Sequence, residues 1–154
     1  MDIIPQNKIY AKYPLLKKIC EDHKDVNIQF VNLSYKESIC LPNKHIMLGI
    51  INLNEKELMT ALLHELGHTK GCFDKIREDE EFAWEYAWDY CEKRNLPFQK
   101  HIMRMGLSSV YKAYNYLMIA AKNKYGNSVS DDILDTLITE VIVAENKLNH
   151  QKLT

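Results

Sequence analysis

The chain has 154 residues, 46% of them hydrophobic and 27% charged, enough for one domain with a real core. Its formal net charge is −1, with no basic run, which argues against nucleic acid and anionic membranes as partners. Met1 to Lys8 lack a charged-then-apolar leader pattern and no apolar run approaches the roughly 18 residues a spanning helix needs, so a cytoplasmic protein is expected. Cys20, Cys40, Cys72 and Cys91 are scattered without a Cys-x-x-Cys pair, as reduced core thiols would be.

In chain order, Tyr13 to Lys24 reads as a helix with Pro14 near its start and Leu15, Leu16, Ile19 and Cys20 facing inward. Asn27 to Leu33 alternates as a strand does, and Glu37 to Leu41 is a second, weaker strand. Leu41-Pro42-Asn43-Lys44 supplies turn chemistry before a third strand, His45 to Ile51. These strands predict a small antiparallel sheet in the N-terminal half. His45, a lone histidine at a strand start, is assigned to the surface.

The next stretch, Asn54 to Gly71, organises the rest. Asn54 and Glu57 have the spacing of a reciprocal capping box, and Lys70 and Gly71 close the helix, with Gly71 expected as a left-handed cap. Leu58, Leu62 and Leu66 form a stripe suited to packing on the sheet. His64 and His68 are four residues apart, one turn above the other, with Glu65 beside them: His-Glu-x-x-His on a helix. Two neutral imidazoles can bind one zinc ion while leaving its charge largely uncancelled, which acidifies a bound water towards about 7. Glu65 is the expected general base. Cys72 follows His68 by four residues, but Gly71 should end the helix before it can join the ligand set.

Glu78 to Arg94 reads as a second long helix. On a helical wheel Ala83, Trp84, Ala87, Tyr90 and Cys91 fall within roughly 80° of Glu80, so Glu80 is the carboxylate in the middle of the small, apolar face. A buried, unpaired carboxylate is costly, and a metal ion is one of the few partners that satisfy it. Glu80 is therefore the candidate third ligand, with Glu81 its competitor if the helix starts later. Asn95-Leu96-Pro97 ends this helix. Pro97 to Met105 is expected as a short helix closed by Gly106, followed by an amphipathic helix carrying Val110, Ala113, Tyr114, Leu117, Met118 and Ala121 up to Gly126. Ser130 caps a last helix carrying Leu134, Leu137, Ile138, Val141 and Leu148.

The stretch HIMLGIINLNEKELMTALLHELGH, with Glu80-Glu81-Phe82-Ala83-Trp84-Glu85-Tyr86-Ala87 matching E-x-x-A-x-x-[FYW]-A and Leu96-Pro97 after it, resembles the ImmA/IrrE family of zinc metallopeptidases over about residues 10–126. Trp84 stands where that family usually carries Asn or Asp, and the helix from about 130 to 150 lies outside the resemblance. The resemblance implies one α+β, zincin-like domain over residues 1–154, with the small sheet on the His-Glu-x-x-His helix and an all-helical C-terminal half. It also implies one Zn2+ held by His64, His68 and Glu80, and a cytoplasmic protease whose protein substrate is a helix-turn-helix repressor of a mobile element or stress regulon. The strand His45–Ile51 is placed to bind an extended peptide by strand addition. His101 and several tyrosines compete as oxyanion stabiliser. Two other functions compete with a peptidase: a non-catalytic, zinc-stabilised regulatory module, and a metal hydrolase acting on a non-peptide amide. Glu65 disfavours the first, since a purely structural site has no use for a base.

Overall fold

The computed structural model describes residues 2–41, 43–71, 73–126, 130, 132–134 and 136, with only the backbone for Lys36, Ile39, Ser109, Ala113 and Tyr114. The architecture is α+β: β1 (Ile3–Ile4), α1 (Gln6–Lys12), α2 (Pro14–Glu21), β2 (Asn27–Ser34), β3 (Ile39–Leu41), β4 (His45–Ile51), α3 (Glu55–His68), α4 (Ile76–Arg94) and α5 (Lys100–Tyr125). Cys72 and all but the first turn of the expected last helix lie outside the described residues.

The sheet has the order β1-β2-β4-β3 and is mixed, where a purely antiparallel one was expected. β1 runs antiparallel to β2 and β3 antiparallel to β4, but β2 and β4 are parallel, with Asn27 opposite His45 and Phe30 opposite Leu48. The reason lies in the path between them. After β2 the chain makes a 3₁₀ turn at Tyr35–Glu37 and returns as β3, leaving a strand-wide gap. β4 reverses again through Lys44, at φ 58°, and fills that gap, so it must run with β2. Gly49 makes the crossing possible, because a Cβ there would sit 2.1 Å from the Ser34 carbonyl oxygen and 2.7 Å from that of Leu33. The Gly49 N–H donates to Ser38 Oγ at 2.9 Å.

One side of the sheet, through Ile28, Phe30, Ile46 and Leu48, joins a core with Leu58, Met59, Leu62, Leu63 and Leu66 of α3. Every residue from Leu58 to Gly67 is buried, so α3 is a central helix enclosed on all sides rather than a surface helix with one apolar stripe. The capping box is present in both directions: Asn54 Oδ1 accepts from the Glu57 N–H at 2.9 Å, and Glu57 Oε1 from the Asn54 N–H at 3.0 Å. The other end departs from expectation. Thr69, in a right-handed conformation, is the C-cap, and its hydroxyl donates to the Leu66 carbonyl at 2.6 Å. Gly71 is not left-handed. It is small because Phe73 lies against it, 2.4 Å from where a Cβ would be.

α5 also corrects the reading, since it runs unbroken through Gly106. That glycine marks a close approach, not a helix end: a Cβ would stand 2.7 Å from Trp84 Cζ2. Beyond it, Val110, Leu117 and Met118 pack on Ile76, and Leu134 of the short turn capped by Ser130 is buried.

Candidate metal centre

α3 and α4 meet through glycine and alanine. A Cβ on Gly67 would lie 2.6 Å from the Ala83 carbonyl oxygen and 2.7 Å from its Cα, so the two backbones are in contact. This brings Glu80, one turn before Ala83, over His64 and His68. The two faces of α4 separate as the wheel predicts: Glu80, Ala83, Trp84, Ala87, Tyr90 and Cys91 are all buried, while Glu81, Glu85 and Asp89 are exposed. Glu81 points away and takes a 3.5 Å hydrogen bond from the Tyr111 hydroxyl.

Three donors converge. His64 Nε2 lies 3.2 Å from His68 Nε2 and 3.4 Å from Glu80 Oε2, and His68 Nε2 lies 3.1 Å from Glu80 Oε1. Ligands at about 2.0–2.1 Å from a tetrahedral ion stand about 3.3 Å apart, so this spacing fits one small metal ion. Glu80 Oε2 is a buried oxygen with no hydrogen-bond partner among the described residues, an unmet need that a cation satisfies. Two imidazole nitrogens and a carboxylate form a donor set suited to zinc-like ions.

Glu65 is buried beside them, its Oε1 4.0 Å from His64 Nε2. Burial pushes its carboxyl up to about 7, with Glu80 and Asp79 adding to the rise and His68 opposing it. Burial and the neighbouring His68 hold His64 well below the usual histidine range. Burial also works against a charged His68, but the carboxylates of Asp79 and Glu80 outweigh it and hold that imidazole well above the usual range.

Three further residues around the centre were not singled out by the sequence. Asp79 Oδ2 lies 3.0 Å from His68 Nδ1, the ring nitrogen turned away from the other donors, in a carboxylate–histidine arrangement that fixes the tautomer. Its signal was hidden among the four acids of Glu78-Asp79-Glu80-Glu81. Tyr35, in the turn between β2 and β3, has its hydroxyl held protonated by burial and by the charges of Glu65 and Glu80. Cys40 of β3 is likewise pushed up by burial and by Glu65, Asp79 and Glu80. Cys20, Cys40 and Cys91 are all free thiols.

Other expectations fall away from the centre. His101 contacts Glu57 Oε2 at 2.7 Å on the surface and takes no part. His45, half-buried, pairs with Gln29 Oε1 at 3.0 Å. β4 cannot add a peptide strand along His45–Met47, because β2 and β3 occupy its two edges there. Among the described residues no strand lies beyond β3, and β3 covers β4 only along His45–Met47, so β3 is the edge strand on that side of the sheet.

No protein-family model matches the chain, and neither do curated proteins or solved structures. No helix among the described residues is long and apolar enough to cross a membrane.

Proposed function

We propose that the protein is a zinc-dependent endopeptidase with a zincin-like fold, of the kind the ImmA/IrrE resemblance implies. Its proposed substrate is a helix-turn-helix repressor in the cytoplasm. The observation that carries this reading is the convergence of His64, His68 and Glu80 with a buried carboxylate, Glu65, that is not one of the three donors. A structural zinc site is normally closed by four protein ligands. Here three donors meet among the described residues, beside a group suited to proton transfer.

Zinc, when bound, supplies Lewis acidity that polarises a peptide carbonyl and makes water nucleophilic near neutral pH. The chain's own residues do the rest. His64, His68 and Glu80 would hold the ion, and Asp79, paired with His68 Nδ1, leaves His68 Nε2 facing Glu80. Glu65 takes the proton of the attacking water at its carboxylate and passes it to the leaving amine. Its burial, which raises the carboxyl towards about 7, favours proton transfer near neutral pH. Tyr35 is the candidate donor to the developing oxyanion, its hydroxyl held protonated by burial and by the charges of Glu65 and Glu80. The substrate would lie extended along the free edge of β3, where backbone pairing holds it without reading side chains.

The test is incubation of the zinc-loaded protein with a helix-turn-helix repressor encoded beside it, with and without chelator. Fragments that vanish on chelation support the reading. An intact repressor under both conditions opposes it and favours the non-catalytic module.

A further inference from the structure

The two histidines are not held in the same way. His68 has Asp79 on its Nδ1 at 3.0 Å. His64 Nδ1 is buried and has no hydrogen-bond partner among the described residues. What His64 has instead is the indole of Trp84, with ring centroids 3.8 Å apart and planes within 15° of parallel.

We propose that Trp84 is the positioning residue of His64: its indole, stacked flat on the imidazole, fixes the ring plane in place of a hydrogen bond to Nδ1. The inference rests on the centre being a metal site, but not on its being a peptidase.

Three features argue that the stack is more than filling. Trp84 is itself locked, only 3% exposed, with Phe98 edge-on at 6.4 Å and Gly106 cut back to admit its six-membered ring. A Cβ on Gly106 would lie 2.7 Å from Trp84 Cζ2. The indole Nε1 is buried with no partner among the described residues, which costs free energy that a leucine or phenylalanine would avoid. Trp84 also follows Glu80 by one turn on the same face of α4, so one helix both offers a ligand and braces the opposite ligand on α3. The centre is then asymmetric, with a carboxylate behind one histidine and an aromatic plane behind the other.

The chain has two tryptophans, Trp84 and Trp88. In a Trp88→Phe variant all indole emission comes from Trp84. One equivalent of zinc makes the stacked imidazole electron-poor, so that it accepts an electron from the excited indole, and the emission should fall and recover on adding EDTA. Zinc affinity, read by chelator competition on protein shown to be folded by circular dichroism, should drop about 10–100-fold in Trp84→Leu. Trp84→Phe, which keeps a ring on His64, should retain the parent affinity. A purely structural role would lower the melting temperature of Trp84→Leu and leave its zinc affinity unmoved. Either parent affinity in a folded Trp84→Leu or emission from Trp84 indifferent to zinc overturns the proposal. The emission arm needs no Leu variant to fold. A parent protein that takes up no zinc on dialysis removes the metal centre and this inference with it. Failure to cleave a repressor while zinc binds as described removes the peptidase reading alone.

Discussion

At the scale of single residues, what separates Glu80 from Glu81 is one step around a helix, and the separation is complete. Glu80 is buried between two imidazoles, whereas Glu81 is exposed beside Tyr111. His64→Ala, His68→Ala and Glu80→Ala should each lose stoichiometric metal under dialysis that leaves the parent loaded, and Glu81→Ala should keep it. Metal retained in Glu80→Ala and lost in Glu81→Ala would mean that the helix phase is wrong by one position. Asp79→Asn tests the support behind His68. An amide offers Nδ1 a weaker acceptor and no charge, and the expected loss of zinc affinity is about 10–100-fold by competition titration. The same scale shows what a sequence can disclose. Glu80 was legible because a carboxylate in the middle of an alanine- and tryptophan-bearing face breaks the helical pattern. Asp79 breaks nothing, as one acid in a run of acids at a helix N-terminus, where negative charge is expected anyway.

Between elements, the decisive contact is α3 on α4 through Gly67 and Ala83. A methyl group on Gly67 has nowhere to go except against backbone, so Gly67→Ala should push the helices apart and move Glu80 off the histidines. The expected outcome is a lower melting temperature together with weaker zinc binding, and unchanged values of both would show that the helices are not pinned there. The core behind α3 is simpler. Leu62 is fully buried, and Leu62→Ala should cost about 2–5 kcal/mol in denaturant unfolding. α3 was readable almost entirely because its signals are local: an Asn-x-x-Glu cap and apolar residues repeating at helical spacing. The sheet was not. Strand existence follows from alternation, but which gap β4 fills depends on a crossing that only Gly49 allows, and no alternation pattern encodes that. Gly71 and Gly106 were misread for a related reason: a glycine signals a helix end and a close approach in the same letter, and both proved to be close approaches, to Phe73 and Trp84.

For the molecule as a whole, stability and metal should be linked. Any ion that binds the folded centre alone raises the unfolding free energy, by about 2.7 kcal/mol at a free concentration 100 times Kd. Chelation should therefore lower the melting temperature of the parent and leave that of His64→Ala unchanged. Away from the centre, His23 adds a pH term. It is 2% exposed, with Nδ1 2.7 Å from the Ile19 carbonyl oxygen and Nε2 2.6 Å from the Tyr86 hydroxyl. Burial lowers its pKa below 6.5, helped by Lys70 and opposed by the Ile19 carbonyl, Asp22 and Asp25. The folded state thus binds this proton less readily than the unfolded chain, so stability present above pH 6.5 is lost as the pH falls towards the lowered value. Urea midpoints at about pH 7.5 and about pH 5.5 should fall further apart in the parent than in His23→Gln, and an equal fall in both would remove His23 from the account. The α+β class, with helices following β4 among the described residues, was readable from the order of the elements, whereas the extent of burial around α3 was not, since it depends on which distant elements pack on that helix. In the proposed peptidase, Glu65 works as a base beside a metal ion and is not one of the groups that hold it. The most direct measurement is the cleavage rate of the repressor by Glu65→Gln loaded to the same zinc content as the parent. Zinc content and fold should be unchanged and cleavage lower by about 10²–10⁴-fold, whereas cleavage at a near-parent rate by the zinc-loaded variant would rule out Glu65 as the base.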